Sequence, residues 1–391
     1  MSRSAYHDWF LTHLRRARRS LATRRSTTGR SPYSRWLRIE PLEDRRLLAV
    51  VTVDTLSDTV DFADGVTSLR EAIFATNVVP GADTINFAES LTAGGPATIL
   101  LTQGELKITD DLEINGTILL QLNGIAFPLI TIDASGNDPT PTVNNGDGSR
   151  VFKIDDGNSA NVLDVSISGL TLTGGDTGAE GAIASQENLT VTNSTISGNS
   201  ARYGGGAIHS TLGDLTVSDS TISGNESLEA GGGIYIRNFS SSGGNLTVLR
   251  STISDNAASN NNTGGGIDFN ADFHNPKVMT ITDSIINGNS AWLGGGIWSV
   301  GANVTVTGST ISGNSAINNG GGIRFGDGSL TVINSTIKDN RADADNDGVG
   351  DGGGIMTLSS PVTVTNSTIS GNAAGGSGGG IRSLIVIVTG S

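Results

Sequence analysis

The 391-residue chain has no cysteine. That excludes a disulfide framework and a thiolate metal site, and it leaves the redox compartment unmarked. Aromatic residues make up only 5% of the chain, so a core built on large rings is not expected. No run of about 18 apolar residues occurs, so no transmembrane helix is expected. The C-terminal part also lacks the series of alternating apolar strands that a membrane barrel requires. What is abundant is glycine, at 55 residues, about twice the usual share.

The net charge of −14 is unevenly spread. Residues 1–50 hold twelve arginines against four acids, about +8, so the other 341 residues carry about −22. An acidic body argues against a nucleic-acid surface. The basic start has too weak an apolar stretch for an ordinary signal peptide. By itself it reads either as a solvated arm or as a targeting segment.

From residue 160 onward the sequence repeats itself. "NLTVTNSTISGNSARYGGGAIHS" (188–210) is followed by "DLTVSDSTISGNESLEAGGGIYIRN" (214–238). The isoleucine after the glycines recurs at Ile183, Ile208, Ile234, Ile267, Ile297, Ile323, Ile355 and Ile381. The spacings are 25, 26, 33, 30, 26, 32 and 26, a base unit near 26 with insertions. Each unit reads as three short strands. In "NLTVT", Leu189 and Val191 point inward. In "TIS", Ile196 does, and in "GGGAIHS", Ile208 does. Bends are expected at Asn193–Ser194 and Gly198–Asn199. One coil cannot bury its own apolar face, but stacked coils can. The expected fold is therefore all-β: a right-handed, single-stranded parallel β-helix, a pectin or pectate lyase-like solenoid. The hairpin turns that a sandwich would need between its strands are missing.

One slot is invariant. Asn199, Asn225, Asn256, Asn289, Asn314, Asn340 and Asn372 all stand three residues after the inward residue of "TIS". Stacked amides can bond one another and the turn backbone, so this slot reads as a structural ladder. The residue after each anchoring Ile faces out. That column includes Tyr235, Asp268, Trp298, Arg324 and Arg382, and it reads either as solvated surface or as a binding face for a glycan or protein.

Two short motifs precede the repeats. "EPLEDRRLLA" (40–49) resembles the LEPRxLL-type motif near the start of many large planctomycete secreted or surface proteins. Leu42, Glu43, Arg45, Leu47 and Leu48 match, and Asp44 stands where the motif has Pro. The resemblance implies export. Ser68–Ala72, "SLREA", resembles the CSLREA-type segment that precedes β-helical repeats in bacterial surface proteins, with Thr67 in place of Cys. Residue by residue, it is a short amphipathic helix with Ser68 and Glu71 at capping-box spacing, suited to plug the end of a solenoid. The repeats themselves resemble the chlamydial polymorphic outer membrane proteins. The GGAI motif is literal at Gly205–Ile208, and Ile196–Asn199 stands where that family has FxxN. This resemblance implies adhesion at a cell surface or outer membrane.

The domain layout expected is a basic export segment over 1–50, a cap with irregular first coils over 51–160, and regular repeats over 161–391. Parallel β-helices also host polysaccharide lyases and hydrolases, which is the alternative function. The best acid pairs for such chemistry are Asp110–Asp111 and Asp155–Asp156. Neighbours on a strand point to opposite faces, so each pair reads more simply as turn or surface. No catalytic residue and no cofactor besides a metal is expected. "DADNDGVGD" places Asp343, Asp345, Asp347 and Asp351 around Gly348 at the spacing of a calcium loop. The equally simple alternative is a solvated acidic loop. The ending "GGGIRSLIVIVTGS" has no polar cap, so end-to-end association, or a fragment of a larger surface protein, is a further expectation.

Overall fold

The computed structural model describes residues 48–116, 128–238, 243–259, 261–272 and 275–391. The chain divides into Met1–Arg45 and Arg46–Ser391. Most of the segment read as an export signal, residues 1–47, lies outside the described residues. So does His274.

Arg46–Ser391 is a parallel β-helix. Residues one coil apart are register partners. The anchoring column runs through Leu106, Phe152, Ile183, Ile208, Ile234, Ile267, Ile297, Ile323, Ile355 and Ile381. A second column runs Leu172, Ile196, Ile222, Ile253, Ile286, Ile311, Ile337 and Ile369. Most of these side chains are fully buried in one continuous core. A coil of about 26 residues has too few apolar groups for a core of its own. Each rung is therefore stabilised by its two neighbours.

A coil has three walls, but they differ from those the repeat suggests. "NLTVT" and the strand after the glycines share one wall, a 20-stranded sheet that also holds Ile208–Ser210 and Leu215–Ser218. In two coils the pair fuses into single strands, Ile297–Thr307 and Ile323–Ile333. Gly301, at φ 71, absorbs the parity shift there without leaving the sheet. The "TIS" strands form the second wall, in a 10-stranded sheet. The third is a 7-stranded sheet of two-residue strands such as Ser200–Ala201, in the stretch that reads as variable loop. Two residues are too few to show any alternation, so the sequence pattern hides this wall.

Residues in the left-handed region make the corners. Asn193, Asp219, Arg250, Asp283, Gly308, Asn334 and Asn366 share the first corner. Gly198, Gly224, Asp255, Gly288, Gly313, Asp339 and Gly371 share the second. Gly, Asn and Asp adopt φ > 0 at least cost, and Arg250 is the exception. The third corner, three residues before the anchoring Ile, is Gly in every coil from Ile208 onward, with Glu180 in that place before Ile183: at Gly231, an added Cβ would lie 2.5 Å from the Ile234 carbonyl oxygen.

Two polar ladders run beside the core. From Asn225 onward, each ladder Asn Oδ1 accepts from both the backbone N–H and the side-chain Nδ2 of the Asn one coil earlier, and Asn199 Oδ1 accepts from the Gly175 N–H. Asn289 Oδ1, for example, accepts from Asn256 N at 3.0 Å and Asn256 Nδ2 at 3.0 Å. The Nδ2 also donates to the carbonyl of an inward Ile one coil back, as from Asn289 to Ile253 at 3.0 Å. The seven asparagines of the sequence pattern form this one ladder. A serine ladder, Ser194, Ser220, Ser251, Ser284, Ser309, Ser335 and Ser367, runs at the first corner. From Ser220 onward, each hydroxyl accepts the N–H of the serine one coil earlier, and Ser194 accepts that of Leu170.

The helix Leu69–Thr76, here α1, closes the first coils. Ser68 and Glu71 form the complete capping box. Leu69, Ala72 and Ile73 join the core. Arg70 pairs with Asp58 at 2.8 Å and donates to the carbonyls of Gly104 and Glu105. Glu71 accepts from the N–H of Asp61 and of Ser68. Both charged residues of the "SLREA" motif thus hold the cap in place.

Candidate functional site: an outward column and three carboxylate clusters

The residue after each anchoring Ile points away from the core, because strand side chains alternate. Along the coils this column reads Lys107, Lys153, Ala184, His209, Tyr235, Asp268, Trp298, Arg324, Met356 and Arg382. The structure corrects the expectation of an open, solvated surface. His209, Tyr235, Asp268 and Met356 are buried, and Trp298 and Arg324 are half-buried. The cover is the backbone that leads into the glycines. A Cβ on Gly204 would meet the Tyr235 ring, and one on Gly264 would meet Asp268 Cβ at 2.7 Å. Glycine in these loops lets the backbone lie directly on the column.

The covered groups are not fully paired. His209 Nε2, Asp268 Oδ1, Trp298 Nε1 and Arg324 Nε are buried with no hydrogen-bond partner among the described residues. His209 stacks on Tyr235 with ring centroids 5.0 Å apart. Burial pulls the His209 imidazole down to about 4, against the opposing pull of Glu180 and helped by Arg237 and Arg150. It is therefore uncharged at neutral pH. Burial, and then the Asp268 carboxyl, pushes the Tyr235 hydroxyl up to about 12. Burial also holds Asp268 well above the usual carboxylate range, although Thr263 donates to it.

At one place the column opens. Ala184 stands one rung from Lys153 and one rung from His209, and its small side chain leaves a hollow of about 190 Å³. Arg150, Lys153, Asp155, Glu180 and His209 line it. Arg150 lies 3.2 Å from both Glu105 and Glu180, and Lys153 lies 3.3 Å from Asp155. Glu180 is 3.9 Å from His209 Nδ1, too far to hydrogen-bond to it.

Among the described residues, three groups of carboxylates converge, with one ligand oxygen from each residue within 4.8 Å of the others. Asp343, Asp345 and Asp347 form one, so three acids of the expected calcium loop come together. Asp351 does not join them: its Oδ2 lies 3.0 Å from Arg382 Nε and its Oδ1 accepts from the Ser377 N–H. Asp155, Asp156 and Glu187 form the second group. Here Asp155, Asp156 and Glu187 accept backbone N–H groups of Gly157, Asn158 and Leu163. Asp110 and Asp111 likewise accept from Gly81 and Asp164. Both acid pairs brace turns. Asp138, Asp147 and Asp176 form the third group, which the sequence reading missed. Asp176 is the register partner of Ser200, in a column that continues through Glu226, Ala257, Ser290, Ser315 and Arg341, so the acid alone gives no sequence signal.

No curated protein matches the chain in sequence. The family model described as "Right handed beta helix region" matches residues 142–311. Among solved structures, the chain is similar to the A-module of the mannuronan C-5 epimerase AlgE6 of Azotobacter vinelandii, at 15% identity and a TM-score of 0.36. That match covers 84% of this chain and 95% of that one. It is also similar to PfbA, a surface adhesin of Streptococcus pneumoniae, at 12% identity and a TM-score of 0.35, covering 79% of this chain and 86% of that one. Among the described residues, no helix is long and apolar enough to cross a membrane. The matched region and the parallel register of the coils make the fold a right-handed parallel β-helix.

Proposed function

We propose that the chain is an exported, adhesin-like surface solenoid that binds an acidic polysaccharide in the hollow over Ala184 and does not cleave it. The observation that carries this reading is the hollow itself. Lys153 and His209 sit two rungs apart, roughly 10 Å, with only Ala184 between them. That span admits a sugar unit. Arg150 and Lys153, paired with Glu105, Glu180 and Asp155, are the cations its carboxylate would share with those acids, and a neutral imidazole on a tyrosine ring supplies an apolar floor. Export and surface placement rest on the LEPRxLL-like, CSLREA-like and GGAI segments.

The test is binding of acidic and neutral polysaccharides to the full chain by calorimetry. Lys153→Ala and the hollow-filling Ala184→Leu should each weaken binding of the acidic polymers at least tenfold while leaving the melting temperature near that of the parent. A folded protein that binds none of them, or variants that bind as well as the parent, would overturn the proposal. The second reading is a polysaccharide-cleaving enzyme. It is favoured by an uncharged His209 in the lining of the hollow, whose Nε2 is buried and unpaired. Product formation that His209→Asn abolishes would establish it in place of the first.

A further inference from the structure

The loop 139–147 crosses the outside of the early coils and carries two acids to a third. Asp138 ends the turn Ala134–Asn137, and Asp147 bridges to Thr177 at the far end of the loop. Asp176 opens the two-residue strand Asp176–Thr177 on the third wall. One oxygen from each acid lies within 4.8 Å of the others. That is the greatest separation two oxygens can have around one ion bonded to each at about 2.4 Å, within the calcium range.

Asp176 makes this more than a group of surface acids. It is only 4% exposed. Its Oδ2 accepts from the N–H groups of Asn145 at 3.1 Å and Gly146 at 2.9 Å. Its Oδ1 is buried and has no partner. A buried carboxylate oxygen without a donor loses its hydration and gains nothing in return. No ion pair among the described residues involves any of the three acids. The charges are crowded and uncompensated.

The loop is also shaped in advance. Gly146 takes φ 81, and Gly148 lies so close that a Cβ there would stand 2.7 Å from the Asp176 carbonyl oxygen and 3.0 Å from Asp138 Cβ. Thr140 Oγ1 donates to Asp147 at 3.2 Å, and Asn145 Nδ2 donates to both Thr140 and Asp147. All the donor atoms are hard oxygens, with no imidazole among them, which selects a hard cation over a transition metal.

We propose that Asp138, Asp147 and Asp176 bind a calcium ion that pins the 139–147 loop to the coils. The three charges would then be neutralised, and the orphaned Asp176 oxygen would gain its partner. The site is separate from the hollow over Ala184 and from the Asp343 loop.

The experiment uses the chelator-stripped full chain, titrated with CaCl₂ by calorimetry and melted with and without CaCl₂. The parent should bind and melt at a higher temperature with calcium. Asp147→Asn and Asp176→Asn should each weaken this binding at least tenfold and abolish its share of the melting shift. Asn still offers an oxygen to the amides of Asn145 and Gly146, so Asp176→Asn keeps the fold's hydrogen bonds. Asp147 is exposed, so its variant decides the matter if Asp176→Asn folds poorly. Without calcium, Asp147→Asn should melt no lower than the parent, because it removes repulsion. Asp345→Asn with Asp347→Asn should leave this site's binding intact. A parent that shows neither heat nor melting shift at millimolar calcium overturns the proposal. So does binding that survives Asp147→Asn and Asp176→Asn but is lost with the Asp345/Asp347 pair.

Discussion

At the scale of single residues, the molecule places polar groups where only pairing along the coil axis can satisfy them. The asparagine ladder does this completely and was legible as an invariant slot. The serine ladder was written almost as plainly, in the serine two residues before each inward Ile of the second wall, but a serine at a bend has so many ordinary roles that its stacking shows only in three dimensions. The outward column is the opposite case: His209, Tyr235 and Asp268 look like surface positions by alternation, and the glycine-rich cover that buries them comes from a neighbouring stretch of the repeat. That burial has a pH consequence. The folded His209 stays uncharged down to about 4, whereas the unfolded chain takes up its proton near the ordinary 6.5. Between those values only the unfolded state binds the proton, so stability is full above about 6.5, falls as pH drops through the window, and levels off below about 4. The linked loss is on the order of 3 kcal/mol. Urea midpoints measured from pH 7.5 to 4 should show this slope in the parent and a shallower one in His209→Gln. Equal slopes would mean that His209 is not the group responsible.

At the scale of the element, the corners decide what the walls can be. Alternation gave the apolar faces of the strands correctly, and the parity break at Asn193 marked a true corner. It did not show which strands share a wall, because a glycine bulge such as Gly301 shifts parity without turning the chain. The corners also differ in tolerance. Gly224 at φ 63 has open space where a Cβ would go, and Asp255 and Asp339 fill the same slot in other coils at φ 56 and 55. Gly231 has the same φ, but its Cβ would lie 2.5 Å from the Ile234 carbonyl oxygen and 2.8 Å from Tyr235 Cβ. Gly224→Asn should therefore change the melting temperature little. Gly231→Ala should cost about 2–4 kcal/mol through left-handed strain and a backbone clash. Thermal melts of the two variants side by side check this, and equal effects would contradict the corner assignment.

At the scale of the whole molecule, each rung touches only the rungs beside it, so stability is a chain of nearest-neighbour terms under one terminal cap. The repeat made this architecture readable from the sequence. The Asp138–Asp147–Asp176 cluster was not readable, because its acids come from a long insertion and from a neighbouring coil that only the register brings to it. Nearest-neighbour coupling makes a specific claim about damage in the middle of the stack. Asn289→Ala would leave the N–H of Asn256 without its acceptor and take from the Ile253 carbonyl its side-chain donor, while Asn256 Nδ2 would keep only its bond to the Ile222 carbonyl. Each buried group left unpaired costs about 1–3 kcal/mol. Protection against amide hydrogen exchange should then fall around Asn256, Asn289 and Asn314. The strands Asp83–Phe87 and Leu106–Ile108, packed against the α1 cap several coils away, should keep theirs. Asn372→Ala, in a half-buried end rung, should have a smaller and more local effect. Uniform loss of protection from residue 48 to 391 would show instead that the coils unfold as one cooperative unit, with coupling that reaches well beyond the adjacent rung.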